Sequence, residues 1–201
     1  MFTGIAFATG LGILFGMSRP AFVAGLTLMG VIVLYDVLHK RSAWAVLLMG
    51  ASRGLVYFVA AAAIDWPLDT SLVLTLGGTL AAYTVVITFV ARAENRSQLD
   101  ARRWLAAAMP LIVIACAALV APQRWLTVAL AALALTAWLA RAVSAVSQRP
   151  PRTKTAVLTW ISGICLVDMY FLALLDRPLA ALAALGCFLL TVYGQRHVMG
   201  T

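Results

Sequence analysis

Residues 70–91, TSLVLTLGGTLAAYTVVITFVA, run for 22 positions without a charged side chain. A helix of that length reaches about 33 Å, enough to cross a hydrocarbon core of roughly 30 Å. The run is apolar all round, without the alternation of a strand in an outer-membrane barrel, so a membrane-spanning helix is the reading it supports. Seven more runs of the same kind flank it, at about 2–18, 20–38, 43–64, 103–121, 125–145, 155–175 and 178–195. Over the whole chain 64% of residues are hydrophobic and 11% are charged, with a mean hydropathy of +0.99. A soluble domain carries about 25% charged residues. The sequence therefore predicts an all-α, polytopic integral membrane bundle of about eight transmembrane helices, forming a single domain over residues 1–201.

The breaks between runs have local causes. Ser18-Arg19-Pro20, Trp66-Pro67, Pro122 and Pro150-Pro151 each stop one helix or start the next. Asp65-Trp66-Pro67-Leu68-Asp69 has the spacing of a paired-carboxylate motif, but Pro67 disfavours a continuous helix. It reads as a loop in which Asp69 caps the fourth helix.

Charge sets the orientation. With eight crossings, one side receives Lys40, Arg41, Arg92, Arg96, Arg102, Arg103, Arg141, Arg149, Arg152, Lys154 and Arg196, and the other receives Arg19, Arg124 and Arg177. Basic residues collect on the cytoplasmic side, which puts both termini there; the expected location is a bacterial inner membrane. The same placement explains the +8 net charge as solvated loops and removes nucleic acid as a partner. Cys116, Cys165 and Cys187 lie inside apolar runs without CxxC spacing and read as packed thiols. No positive region precedes Phe2 to Met17, so the start does not read as a cleaved signal.

Gly12-xxx-Gly16 and Gly50-xxx-Gly54 predict close helix contacts, and Gly77-Gly78 is a further candidate. No inverted repeat marks a transporter.

Ionisable groups inside the membrane are functional candidates by default. Arg53 stands halfway along the third run, with Met49 and Tyr57 on its face. Asp168 stands inside the seventh run, and Asp36 lies near the cytoplasmic end of the second. Arg53 is expected to face the bundle interior, with Asp168 as its first candidate partner and Asp36 as the second. His39 and His197 have no partner spacing for a metal or a triad.

The stretch Leu34-Tyr35-Asp36-Val37-Leu38-His39-Lys40-Arg41, with Leu48 to Leu55 (LMGASRGL) after it, resembles the middle of the UbiA prenyltransferase superfamily. There a Tyr and a basic residue end one helix and a Gly-rich helix follows. The resemblance is closest to the UbiA-like branch of Ebo gene clusters, with loose support from Tyr83 to Arg96 and Val157 to Asp168. It implies a helical bundle that joins an isoprenyl diphosphate to a lipophilic acceptor with Mg²⁺ on the diphosphate. It further implies Tyr35, Lys40, Arg41 and Arg53 as diphosphate contacts, and Glu94 and Asp100, in one loop, as the remnant of a metal site. The first Asp-rich motif of the family is absent, as though this sequence began after it.

The residues themselves pull the other way, since the chain holds 7 acids in all and none of them cluster. Two functions are therefore expected. One is prenyl transfer. The other is a non-catalytic membrane subunit that binds lipid, quinone or pigment, or packs into a larger membrane complex.

Overall fold

The computed structural model describes residues 2–40, 42, 44–64, 69–92, 96–115 and 124–198, with 2, 3, 96–103, 106, 110, 196 and 198 described by backbone alone. Among these residues it is helical, with eight helices: α1 (Phe2–Met17), α2 (Arg19–Leu38), α3 (Ala45–Ala63), α4 (Thr70–Ala91), α5 (Arg96–Ala115), α6 (Trp125–Ser147), α7 (Thr153–Leu174) and α8 (Pro178–Val198). Six of them (α2, α3, α4, α6, α7 and α8) are long and apolar enough to cross a membrane. That makes the chain an integral membrane protein built as a helical bundle. Of the other two, α1 has 16 residues and is a shorter apolar helix. The second, α5, opens on RSQLDARRW, which is polar.

The start of α5 corrects one expectation. Asp100 is in a helix, not a loop, because Arg96 to Arg103 contains no Gly or Pro and is made largely of good helix formers. Helix propensity carries the element beyond its apolar stretch by nearly two turns.

The chain divides into two compact units, residues 1–88 and 89–201. In the first, Ser18 is the N-cap of α2: its Oγ accepts from the Ala21 N–H at 3.1 Å, and Pro follows at once inside the helix. The same hydroxyl donates to the Ala62 carbonyl at 3.0 Å, tying the α1–α2 turn to the far end of α3. Leu11 and Leu14 of α1 fill the notch left by Gly25 of α2, and Phe15 meets Phe22 edge-on at 5.3 Å. Because α1 packs through that face, Gly12 and Gly16 have nothing within 4 Å, and the close contact expected of them is not made.

The other glycine pair behaves as expected. A Cβ on Gly54 would lie 2.7 Å from the Gly77 carbonyl oxygen, and one on Gly77 would lie 2.9 Å from the Gly54 oxygen. One turn away, a Cβ on Gly50 would meet the Ala81 oxygen at 2.7 Å. Here α3 and α4 pack backbone against backbone. Asp69 caps α4 as expected: its Oδ1 accepts from the N–H groups of Ser71 and Leu72 at 3.1 and 3.2 Å and from the Ser71 hydroxyl at 2.7 Å.

In the second unit α7 is the most buried helix, with Trp160, Leu166, Val167, Tyr170, Phe171 and Leu174 almost wholly removed from solvent. Trp138 of α6 joins three helices. Its indole N–H donates to the Thr159 carbonyl of α7 at 2.8 Å and reaches Ser162 Oγ at 3.2 Å, while its ring meets Phe188 of α8 edge-on at 4.8 Å. The Tyr170 hydroxyl donates to the Ile114 carbonyl of α5 at 2.9 Å, satisfying a polar tip in an apolar setting.

Candidate functional site

The last turn of α2 presents Tyr35 half-buried, with Asp36 and Lys40 exposed. His39 caps the helix. Its ring stacks on Tyr35 with centroids 5.5 Å apart, and its Nδ1 lies 2.7 Å from the Asp36 carbonyl, which accepts from the tautomer protonated there. Arg41 lies outside the described residues. The fragment is thus a small aromatic platform with one ammonium beside it.

Arg53 is where structure and expectation part. It stands eight residues into α3, about 12 Å along the axis from the end that follows the α2–α3 turn. It is exposed, and no described residue accepts a hydrogen bond from it or pairs with it. The interior placement fails for a packing reason. The inner face of α3 is occupied by Gly50 and Gly54 against the backbone of α4, where a single Cβ already collides and a guanidinium has no room. Asp36 is not its partner either. It sits two residues from the end of α2, so the two side chains start about 9 Å apart in depth. Asp168 belongs to the second unit, half-buried on α7 three residues beyond Cys165.

Lys40 and Arg53 therefore share a pair of packed helices at different depths and do not converge on one point. Glu94 lies outside the described residues, and the Asp100 side chain is not described. Among the described residues no three His, Cys, Asp or Glu side chains gather where a metal ion could be held. The Mg²⁺ site that the resemblance implies is thus not assembled from them.

Two ionic features escaped the sequence reading. Arg124 Nε lies 3.2 Å from Asp176 Oδ1, joining the residue before α6 to the turn after α7. Asp176 itself has φ 58, in the left-handed region, and closes α7 with two reversed bonds: its own N–H to the Ala173 carbonyl at 3.1 Å and the Arg177 N–H to the Leu172 carbonyl at 2.9 Å. Second, the Arg141 guanidinium carbon lies 4.7 Å over the Trp138 ring. The sequence signal for the first was an Asp just before Arg177-Pro178 at a helix end. For the second it was a Trp and an Arg three residues apart.

Comparison of the chain with family models, curated proteins and solved structures finds no match.

Proposed function

We propose that this chain is a UbiA-like membrane protein that crosses the bacterial inner membrane eight times with both termini in the cytoplasm. In this reading the α2–α3 pair binds the anionic head of an isoprenoid diphosphate, the donor that the resemblance implies for prenyl transfer to a lipophilic acceptor. The observation that carries the reading is Arg53, a cation halfway along an apolar helix, exposed and unpaired among the described residues. A charge at that depth is costly without a counter-ion, and a planar guanidinium matches phosphate oxygens in pairs. Tyr35 and Lys40 at the neighbouring helix end supply an aromatic face and a second cation.

The test is equilibrium binding of a labelled isoprenyl diphosphate to the purified protein in mild detergent. Binding is expected with little dependence on Mg²⁺, and it should fall in Arg53→Gln and again in Lys40→Gln. Metal-dependent release of a lipid-soluble product, abolished by EDTA, would extend the reading to an active transferase. No binding at all would remove it.

One observation favours a second reading, a non-catalytic subunit of a larger membrane complex. Gly4, Ala8, Gly12 and Gly16 form an exposed line at four-residue spacing on α1, and none of the three glycines has a neighbour within 4 Å. Small residues so spaced let another helix approach closely. In that setting Arg53 would pair with a carboxylate on the neighbouring subunit.

A further inference from the structure

Four cations stand at one end of the second unit. Arg141 lies on α6, six residues before its end; Arg149 and Arg152 lie in the link; Lys154 is the second residue of α7. All four are exposed, and no carboxylate among the described residues pairs with any of them. The neighbouring sequence cannot neutralise them. Between Asp100 and Asp168 the chain contains no acid, and α8 contains none. Asp168 is fifteen residues into α7, about 22 Å from the end where the cations lie. On α5, which packs on α6, Asp100 is followed by Arg102 and Arg103, so that helix adds more positive charge than negative.

The four are not equivalent. Arg149, Arg152 and Lys154 sit at the helix ends, where the link folds back through the Arg152 N–H to the Ala145 carbonyl at 2.9 Å. Arg141 lies about 9 Å below the end of α6. It is held on the Trp138 ring, which is itself fixed to Thr159 and Phe188. The arrangement has two tiers: cations at the helix ends, and one positioned guanidinium about 9 Å further along α6. Exposed Ser144 and Gln148 extend the face of Arg141 toward the surface.

We infer that this end of α6 and α7 is a docking surface for an anionic phospholipid, whose phosphodiester sits against Arg141 while Arg149, Arg152 and Lys154 hold the rest of the headgroup. Guanidinium recognition of phosphate is directional, and the aromatic ring under Arg141 limits the freedom lost on binding. The match is one of charge and of depth. The surface tier alone would attract any anionic bilayer diffusely, whereas the lower tier selects the lipid that stays.

The experiment places the full chain in phosphatidylcholine vesicles and compares spin-labelled phosphatidylglycerol with spin-labelled phosphatidylcholine in the motionally restricted shell. The wild-type chain is expected to prefer phosphatidylglycerol several-fold, since each well-placed cation strengthens association by about fivefold. Arg141→Gln should remove most of that preference. Arg141→Lys, which keeps the charge and the fold, should remove part of it because the planar pairing is lost. Lys154→Gln should cost less than Arg141→Gln, and Arg19→Gln, on α2 in the other unit, should change nothing. Equal association of both lipids with the wild type would overturn the inference. So would a preference that falls equally in Arg19→Gln and Arg141→Gln, which would mark diffuse attraction to net charge.

Discussion

Replacing Gly54 with alanine sets two opposed effects against each other. The new methyl would sit 2.7 Å from the Gly77 carbonyl oxygen, about 0.7 Å inside the 3.4 Å of ordinary contact. Its neighbour is backbone, which cannot swing aside as a side-chain end can, so α3 and α4 must separate by about that much at the crossing. Opening a gap of this size forfeits a quarter to a half of each pairwise attraction across the contact, and strained core insertions cost about 1–3 kcal/mol. Alanine also favours the helix itself over glycine by about 1 kcal/mol. The packing term is at least as large, and a net loss of up to about 2 kcal/mol is expected. Gly78→Ala is the matched control, because nothing lies within 4 Å of its Cβ position and only the helix-forming gain remains. Thermal unfolding in mild detergent should therefore place Gly54→Ala below the wild type and Gly78→Ala level with it or above. The double variant Gly54→Ala, Gly77→Ala should lose less than the sum of its parts, since both methyls wedge the same crossing. A Gly54→Ala protein as stable as Gly78→Ala would refute the backbone contact.

Two further predictions concern helix ends. Hydrogen bonds from the Ser71 hydroxyl and then from the Leu72 N–H hold the Asp69 carboxylate below its usual range. Its contribution to stability is thus complete above the unfolded carboxylate range and disappears as pH falls through the lower folded value. Asp69→Ala should lower the melting temperature at neutral pH and narrow the difference from wild type in acid; a gap unchanged by acid would exclude the cap. At Asp176, glycine removes the cost of a left-handed residue, about 1 kcal/mol, while losing a half-exposed ion pair with Arg124 that is worth no more than about 1 kcal/mol. Asp176→Gly should therefore unfold near the wild-type temperature and Asp176→Ala clearly below it, and the reverse order would contradict the closing turn of α7.

The helix pattern was legible because it follows from hydropathy and breakers, which act locally. Residues 70–91 form α4 with the ends read from the sequence, and the turns at Ser18-Arg19-Pro20 and Pro150-Pro151 fall where proline and a capping hydroxyl put them. The start of α5 was missed because hydropathy is silent about a polar helical turn, and Arg96 to Arg103 is made largely of good helix formers. Glycine spacing identified a possible contact but not whether a partner exists. Gly50 and Gly54 meet α4, whereas Gly12 and Gly16 look away because Leu11 and Leu14 had already committed α1 to α2. Arg53 was misplaced for a related reason: burial of a mid-helix cation is a sound default, but the inward face belonged to residues with no side chain. The Arg124–Asp176 pair depends on tertiary placement and on one left-handed residue, which no short sequence window contains, whereas the Trp138–Arg141 stack lay within a four-residue window of α6 and was overlooked.

The described residues of α1, Phe2–Met17, run about 24 Å. Its C-terminal end is anchored, because Ser18 fastens the following turn to the carbonyl of Ala62. If α1 crosses, as the eight-span reading requires, the far end of α3 therefore sets the depth of the α1–α2 turn. A change in bilayer thickness would then move the α1–α2 turn and the far end of α3 together.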